Sequence, residues 1–291
     1  MLNRMLKIAI PALAAFLLAS CGGGDIHGIN LAMTDAPIDL ASSVNITFSQ
    51  IELSGPNVTS TVIDIRPASS IDLFGLQGGL AQTVVTGIQA QPGHYTSLIL
   101  TVVGDPDFAQ SNIVLPDGIH TLYVPPGVSS RVVIPVDFTL VSGGDINLTA
   151  DFNLRKSIIP DPNDPTKYQL IPSIRAVINE ESGAITGEVG TSLITCLAPS
   201  VYVYKGDVTP TDVDITAPAN RVQPFSSALV GFNATTSRYN FTVGFLPAGS
   251  YTLAFTCDAA LDVANQTNTL RFLQTTHATV TPLGTTFVNF E

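Results

Sequence analysis

The chain has 291 residues, of which 45% are hydrophobic and only 12% charged, and its formal net charge is −11. This length fits one large domain or two ordinary ones. The apolar content excludes global disorder, and 12 basic side chains against 23 acidic ones leave no basic surface for nucleic acid. No long apolar run follows the N-terminal segment, which excludes a polytopic membrane protein.

The first 20 residues have the pattern of a secretory signal peptide. Arg4 and Lys7 form a positively charged start, and residues 8–19 are an apolar run too short to span a bilayer. The run ends in the tetrad LASC, which closes at Cys21. This tetrad resembles the bacterial lipobox, in which the cysteine is lipidated and becomes the new N-terminus. The alternative is an ordinary secretory signal with a cysteine nearby by chance.

The lipobox resemblance implies an anchor at Cys21 and a Gly-rich tether over residues 21–27. Stable membrane attachment takes two signals, which a lipoprotein's diacylglyceryl and N-acyl chains supply. Gly22 follows the cysteine, and by resemblance to lipoprotein sorting this favours the outer membrane. Cleavage leaves 10 basic against 23 acidic side chains, a net charge of −13. We therefore expect a lipid-anchored outer-membrane protein on either the periplasmic or the cell-surface face.

The two remaining cysteines, Cys196 and Cys257, predict one disulfide bond in an oxidising compartment. Period-two alternation over residues 251–257 places Cys257 on the same face as three apolar side chains, so its thiol should point inward. The alternative is a pair of buried free thiols.

Alternating apolar residues predict β-strands from the first part of the chain onward. The alternation over residues 44–53 changes phase at Ser49-Gln50, which predicts a β-bulge. A second strand is predicted over residues 132–140, where Pro135 indicates an edge or bulged position. Residues 145–154 alternate so regularly that they predict a half-buried antiparallel strand with one solvated face.

The second part of the chain continues this pattern. Strands are predicted over residues 201–204, 239–245, 251–257 and 286–290, and short helical turns over 71–76 and 259–264. Frequent Gly and Pro turns between short strands predict an all-β protein of two consecutive antiparallel β-sandwich modules. We place these modules at residues 28–180 and 184–291, after the signal peptide 1–20 and the tether 21–27.

One pattern occurs in both predicted modules. Residues 92–96 and 247–252 share a proline-containing turn, then a glycine, one variable residue, tyrosine and threonine. The glycine permits a positive φ in the turn, and the tyrosine can bury its ring while its hydroxyl reaches a partner. We interpret the repeat as structural.

A larger resemblance covers residues 28–178. The matching motifs are, in order, MTDAPID (33–39), VNITF (44–48), IEL (51–53), IDLF (71–74), GHYT (93–96), VPPG (124–127), FNLRKS (152–157) and YQLIP (168–172). Their number and order resemble the bacterial lipoprotein family called domain of unknown function 4382. The resemblance implies a lipid anchor and names no reaction.

The second module resembles transthyretin-like or carboxypeptidase-regulatory-like sandwiches. The resemblance rests on residues 183–189, on the strand start at 246–252 and on a closing hairpin expected at 280–290. It implies a non-catalytic module related in structure to carbohydrate-binding sandwiches.

Known catalytic motifs are absent from the sequence, including the nucleophile elbow, the zinc-protease helix motif and the phosphate-binding loop. The four histidines are far apart and are expected in surface or turn positions. A hydrolytic site assembled from distant residues stays open as an alternative.

Two ligand sites are open hypotheses. Asp161, Asn163 and Asp164 place three oxygen-bearing side chains within four residues, as a Ca²⁺ loop does, although Asp and Asn beside Pro also favour turns for backbone reasons. Tyr202 and Tyr204 alternate with valines and are the best candidates for an exposed aromatic face that binds carbohydrate. The alternative for both tyrosines is packing against the other sheet or module.

These observations predict a non-enzymatic outer-membrane lipoprotein that binds or scaffolds an envelope protein or glycan, without a cofactor unless Ca²⁺ is bound. The first alternative is a carbohydrate-binding or cell-surface adhesion module, with or without Ca²⁺. The second is an assembly subunit that exchanges a strand at an unpaired edge near Pro135.

Overall fold

A computed structural model describes residues 28–106, 110–196 and 198–291. The predicted signal peptide, the tether and the lipidation site Cys21 lie outside these residues. The N-terminal module is the part of the chain that runs from the first strand to the twelfth. Its strands are β1 (Ile29–Ala36), β2 (Ser43–Ser54), β3 (Thr61–Asp72), β4 (Gln82–Ile88), β5 (Gly93–Val103), β6 (Ser111–Leu115), β7 (Gly118–Tyr123), β8 (Arg131–Leu140), β9 (Ile146–Asn153), β10 (Ile158–Pro160), β11 (Lys167–Leu170) and β12 (Ile174–Ile178).

These strands form two sheets that pack face to face. One sheet has the order β12-β9-β1-β4, and its β1–β9 pair is parallel. The other has the order β10-β11-β7-β6-β2-β5-β8, with β3 paired to the second side of β2. The inward side chains of both sheets form one apolar core, in which Phe48 of β2 meets the edge of the Phe152 ring of β9 at 5.6 Å. The prediction of an all-β fold is confirmed.

Two local predictions in this module are confirmed. The pairing of β2 with both β3 and β5 shifts register between Phe48 and Gln50, so the predicted bulge lies there. The apolar residues on both sides of the bulge are buried in the core, as at Ile46 and Ile51. Pro135 lies in β8, which is an edge strand, and the register of β8 with β5 shifts beside it. An edge position suits proline because it has no N–H to donate to a neighbouring strand.

The C-terminal module is the rest of the chain. Its strands are β13 (Ser182–Val189), β14 (Ser200–Lys205), β15 (Ser226–Leu229), β16 (Gly231–Asn233), β17 (Arg238–Pro247), β18 (Gly249–Thr256), β19 (Phe272–Val280) and β20 (Thr285–Phe290). They form sheets of order β16-β17-β13-β20 and β15-β14-β18-β19, and these sheets enclose a second apolar core. Short 3-10 turns at Leu73–Leu76 and Ala259–Leu261 confirm the two predicted helical turns. Within the described residues, no helix is long and apolar enough to cross a bilayer.

The predicted closing hairpin at residues 280–290 is wrong. β19 and β20 belong to different sheets, and β20 pairs in parallel with β13. The turn between them carries the chain across the sandwich, and Leu283 in that turn has a φ of +56°. The sequence pattern of two adjacent strands and a turn is the same for a hairpin and for a sheet-to-sheet connection, and only the pairing partner distinguishes them.

The repeated tyrosine pattern has the same geometry in both modules. Gly93 and Gly249 have φ of +155° and +154°, and each starts a core strand. The buried Tyr95 donates its hydroxyl to the carbonyl of Gln91 at 2.8 Å, and Tyr251 donates to the carbonyl of Pro247 at 2.7 Å. The ring is therefore packed in the core while its polar end is satisfied by the preceding turn.

The predicted disulfide bond between Cys196 and Cys257 is confirmed, with the two Cα atoms 5.6 Å apart. It lies between the segment that leads into β14 and the end of β18. The half-cystine Cys257 packs against the core of the C-terminal module, as the alternation of β18 predicted.

The modules contact each other closely. A Cβ atom on Gly244 of β17 would lie 2.6 Å from the Cα atom of Gly79, so Gly244 is confined to glycine by the approach of the two modules. Ala248 donates its N–H to the carbonyl of Glu181 at 3.3 Å, next to the point where the chain passes from one module to the other.

This contact corrects the prediction for β9. Its alternate residues Thr149, Asp151 and Asn153 do not face solvent, because all three are buried. Thr149 donates its hydroxyl to Asn179, and Asp151 pairs with Arg175, whose guanidinium lies 4.0 Å from the ring centre of Phe225 in the other module. The polar alternation therefore marks a polar interface inside the molecule rather than a wet face.

Candidate functional site

The candidate site lies where the two modules meet, around Arg155. This residue sits in the single turn α1 (Leu154–Ser157), which directly follows β9. Asn153 caps the turn by accepting the N–H of Lys156 at 3.1 Å, while Ser157 donates its hydroxyl to the carbonyl of Asn153 at 2.7 Å. The capped turn stops the strand and directs the Arg155 side chain into the junction, where it is 3% exposed.

The guanidinium of Arg155 has contacts in both modules. Its Nη1 donates to Asp39 of the N-terminal module and, at 3.0 Å, to the carbonyl of Ala259 in the C-terminal module. Its Cζ lies 5.0 Å from the centre of the Tyr202 ring, a cation–π contact from β14. Ser200 also donates its hydroxyl to Asp39, at 3.2 Å. One buried ion pair thus holds groups from distant parts of the chain.

Asp262 completes the cluster. Its carboxylate accepts the hydroxyl of Tyr202 at 2.7 Å and the N–H of Val213 at 3.2 Å. Burial raises the pKa of Asp262, and the hydrogen bond from Tyr202 offsets part of that shift. Burial also raises the pKa of Tyr202 well above its ordinary value, so this phenol stays protonated and donates.

A cavity of about 170 Å³ opens beside this cluster. Its polar lining consists of Asp39, Arg155 and Asp262, with Tyr168 of β11 at another wall. The apolar lining comes from both modules and includes Ile113, Leu115, Ile158, Ala260 and Val263. The cavity is therefore built by neither module alone.

A further buried acidic side chain of the N-terminal module, Asp35, lies near Asp151. Asp35 is buried, and within the described chain neither of its carboxyl oxygens has a hydrogen-bond partner. Its burial, with the nearby Asp151 adding to the effect, raises the pKa of Asp35 well above its ordinary value. A neutral carboxyl group is the form that such a position tolerates.

The structure places the predicted aromatic residues differently from the sequence hypothesis. Tyr202 and Tyr204 are 0% and 1% exposed, so the predicted exposed aromatic face is wrong. The first module and the segment that follows β14 cover them, and Ile159 of β10 joins their apolar cluster. The hydroxyl of Tyr204 donates to the carbonyl of Thr211. The alternative of packing against the other module describes their surroundings.

The acidic loop at Asp161, Asn163 and Asp164 has the hydrogen bonds of a turn. Asp161 accepts the N–H groups of Asn163 at 2.7 Å and of Asp164 at 3.2 Å, and it also accepts the hydroxyl of Tyr123. Asp164 accepts both the N–H and the hydroxyl of Thr166. Among the described residues, no three His, Cys, Asp or Glu side chains are grouped as metal ligands.

The histidines do not come together in the described chain, and His27 lies outside it. His94 pairs with Asp137 at the exposed surface, at 2.7 Å. His277 is also mostly exposed. His120 departs from the expected surface position, because it is buried against the edge of the Tyr168 ring and pairs with Asp117 at 2.9 Å.

Sequence reasoning did not select Arg155, Asp39 or Asp262 as site residues. Arg155 and Asp39 lie inside two of the motifs that carry the family resemblance, and Arg155 directly follows the last apolar residue of the alternating run, Leu154. A charged residue directly after a buried strand, in a chain with few basic residues, is the signal that was available.

Comparisons with known proteins identify the family of the first module. No curated protein matches the chain. The Bacillus anthracis TIE protein is 10% identical with a TM-score of 0.21, and the match covers 90% of this chain and 33% of that one, so the chain spans about a third of that protein. The minor pilin of Streptococcus agalactiae (13% identity, TM-score 0.21) is matched over 90% of this chain and 94% of that one. The shaft pilin of Lactobacillus rhamnosus GG (10% identity, TM-score 0.20) is matched over 90% and 95%.

At TM-scores this low, nothing about the function of this chain follows from those structures. The family comparison is informative, because residues 28–172 match the family described as Domain of unknown function (DUF4382). The motifs between residues 33 and 172 that carried the resemblance all lie inside this match. The N-terminal module of this chain is therefore a DUF4382 domain.

Proposed function

We propose that this protein is a non-enzymatic, lipid-anchored binding protein of the bacterial outer membrane, with the anchor at Cys21. The LASC tetrad after a short apolar run supports the anchor, and the cystine Cys196–Cys257 is consistent with an oxidising compartment outside the cytoplasm. Non-enzymatic binding or scaffolding of an envelope protein or glycan is the role that we propose for the two modules. The relationship of residues 184–291 to transthyretin-like sandwiches is part of the same proposal.

The observation that carries the binding role is the cavity between the modules. Its walls come from both modules, and it contains the buried Arg155 and Asp39 and the half-buried Asp262 beside apolar side chains. A few fixed polar groups in a mainly apolar concave surface are typical of small-molecule sites, and such sites occur preferentially at domain interfaces.

The anchor is tested by the intact mass of the full chain produced in a Gram-negative envelope, followed by membrane fractionation and protease treatment of whole cells. We expect a mature protein that starts at acylated Cys21 and fractionates with the outer membrane. The matched variant Cys21→Ala should be unacylated and leave the membrane fraction. Digestion on intact cells indicates a surface-facing protein, and protection indicates a periplasmic one. An unacylated wild-type chain in the soluble fraction contradicts the proposal.

Strand exchange is a second candidate, favoured by the edge strand β8. Within the described residues β8 pairs on one side only, with β5, and Val133 on this strand is 55% exposed. An added strand from a partner would complete the ladder. Oligomers of the purified full chain that disappear in Val133→Lys support this role, and a monomer at all concentrations contradicts it. Repeating the membrane fractionation and the oligomer measurement with a calcium chelator tests whether membrane attachment or oligomer formation depends on Ca²⁺.

A further inference from the structure

The guanidinium of Arg155 has an unused edge. Its face lies over the Tyr202 ring, and its Nη1 donates to Asp39 and to the carbonyl of Ala259. In the described part of the chain, the buried Nε and Nη2 have no acceptor. These two nitrogens carry the parallel N–H groups with which arginine binds two oxygen atoms at once. Buried donors without partners cost free energy, so a group that supplies two acceptors would stabilise the junction.

The surroundings of Arg155 indicate what those acceptors are. The cavity that Arg155 lines also contains the carboxylates of Asp39 and Asp262. An anionic ligand would add a third negative charge to one buried positive charge, which is unfavourable in a poorly solvated site. Hydroxyl groups suit the site better, because each one can accept from the guanidinium and donate to a carboxylate. Two hydroxyls on adjacent carbons match the spacing of two parallel N–H groups.

The size and the lining of the cavity set a second limit. Its volume is about 170 Å³, below the roughly 300–1,000 Å³ of pockets for drug-sized ligands. Ile113, Leu115 and Tyr168 provide apolar and aromatic surface for the C–H face of a ring. At the mouth, Leu40 is 58% exposed and has a φ of +63°, a strained conformation for a leucine, and strained residues occur preferentially at ligand sites.

We propose that the cavity between the modules binds one neutral sugar ring, and that Arg155, whose Nε and Nη2 are buried beside the cavity, turns this edge toward two adjacent hydroxyls when the ring enters. The inference rests on the proposed binding role and specifies its ligand class and its place. The proposed sugar site is therefore this cavity and not an exposed aromatic face. Tyr202 contributes to it indirectly, because its ring packs against the guanidinium of Arg155.

The test is saturation-transfer NMR on the full chain, purified in a detergent without a sugar headgroup. The probes are glucose, galactose, mannose and N-acetylglucosamine, with glucuronate and hexanoate as anionic probes. We expect ring-proton signals from at least one neutral sugar, at least tenfold weaker binding of both anions, and competition among the neutral sugars that bind.

Two variants assign the signal to the cavity. Arg155→Lys keeps the positive charge beside Asp39 but removes the paired N–H groups, so binding should fall at least tenfold while thermal unfolding confirms the fold. Ala260→Trp blocks the mouth from an exposed position without altering Arg155, and it should also abolish binding. The matched control is Ala219→Trp, at an exposed loop position outside the cavity lining, which should bind as the wild type does.

Three outcomes overturn the inference: no signal from any neutral sugar, preferred binding of hexanoate, or sugar signals that persist in both cavity variants. Each leaves the membrane-anchor proposal intact, because that is decided by the acylation of Cys21. Conversely, an unacylated protein that binds sugar here keeps this site and removes only the anchor.

Discussion

The two modules share a strand-pairing pattern and a tyrosine-containing strand start, and they differ in the interactions that stabilise them. In each, the first strand pairs in parallel with a late one, β1 with β9 and β13 with β20. In each, a glycine with positive φ and a buried tyrosine start a core strand. The C-terminal module has the smaller core and long connections at residues 206–225 and 257–271, and a cystine joins the start of the second connection to the segment before β14. The N-terminal module has a larger apolar core and buries charged groups beside it.

This difference shows two ways of stabilising one kind of sandwich. Burial of apolar surface increases with the size of a module, so the larger one holds together by packing and tolerates buried carboxyl groups. A smaller module with long loops gains from a covalent link, which restricts its unfolded chain. The ion pair Arg155–Asp39 lies within the N-terminal module, and both of its members also bind the C-terminal module, Arg155 through the carbonyl of Ala259 and Asp39 through the hydroxyl of Ser200.

Removing the cystine should cause the largest loss of stability, and the loss should be confined to the C-terminal module. The double variant Cys196→Ser/Cys257→Ser opens a link across 61 residues, and the free energy of unfolding should fall by about 4 kcal/mol. Urea unfolding followed by circular dichroism measures the loss. Hydrogen exchange should locate it in the C-terminal module, while protection of β2 and β5 stays high. Equal loss of protection in both modules would contradict the comparison.

Breaking the ion pair at the junction of the modules should come next. Asp39→Ala leaves the guanidinium of Arg155 buried without its carboxylate, and the free energy of unfolding should fall by about 3 kcal/mol. Because Asp39 also accepts the hydroxyl of Ser200 from the C-terminal module, we expect a single urea transition to split into two. Asp64→Ala removes an exposed partner of Arg66 and is the matched control, for which one unchanged transition is expected.

Substitution of Tyr95 and of Tyr251 tests whether the repeated tyrosine pattern stabilises both modules equally. Tyr95→Phe and Tyr251→Phe each remove one hydroxyl that donates to a turn carbonyl, and each should lower the free energy of unfolding by about 1 kcal/mol. Urea unfolding of both variants, followed by circular dichroism, checks whether the two losses of unfolding free energy are equal. A loss confined to one module would show that the repeated pattern is not equivalent in energy.

The pH dependence of stability should distinguish the buried Asp35 from an exposed carboxylate of the same module by its sign. Burial raises the pKa of Asp35, so as pH rises above the ordinary aspartate value the unfolded chain releases this proton while the folded chain retains it. The Asp35 contribution to stability therefore falls with rising pH until the raised pKa is passed. Asp35→Asn should remove that fall and stabilise the protein at neutral pH.

The control for Asp35 is an exposed carboxylate of opposite behaviour. A hydrogen bond from Gln50, together with Arg66, lowers the pKa of Asp64, so the stability it contributes is lost only as pH falls into the acid range. Denaturant unfolding of the wild type, Asp35→Asn and Asp64→Asn across pH separates the two signs. A parallel pH profile for wild type and Asp35→Asn would contradict a raised pKa at Asp35.

Local patterns were sufficient for much of the fold. The bulge at Ser49-Gln50 follows from a phase change, the edge position of Pro135 from a missing donor, and the tyrosine geometry from a turn and a core position next to each other in sequence. The disulfide between Cys196 and Cys257 followed from pairing the two cysteines left after the lipobox. In each case the few residues concerned fix the outcome.

The sequence by itself determined which side of each strand is apolar, where strands bend and which cysteines pair. Only the tertiary structure decided what covers each side. Period-two alternation is the same whether a polar face meets water, as predicted for β9, or another module, as found at Asp151 and Arg175. For the same reason Tyr202 is buried, and Arg155, Asp39 and Asp262 meet at one cavity. Contacts between the modules, such as those of Arg155 with Ala259 and Tyr202, depend on how two finished sandwiches pack, and no local pattern records that packing.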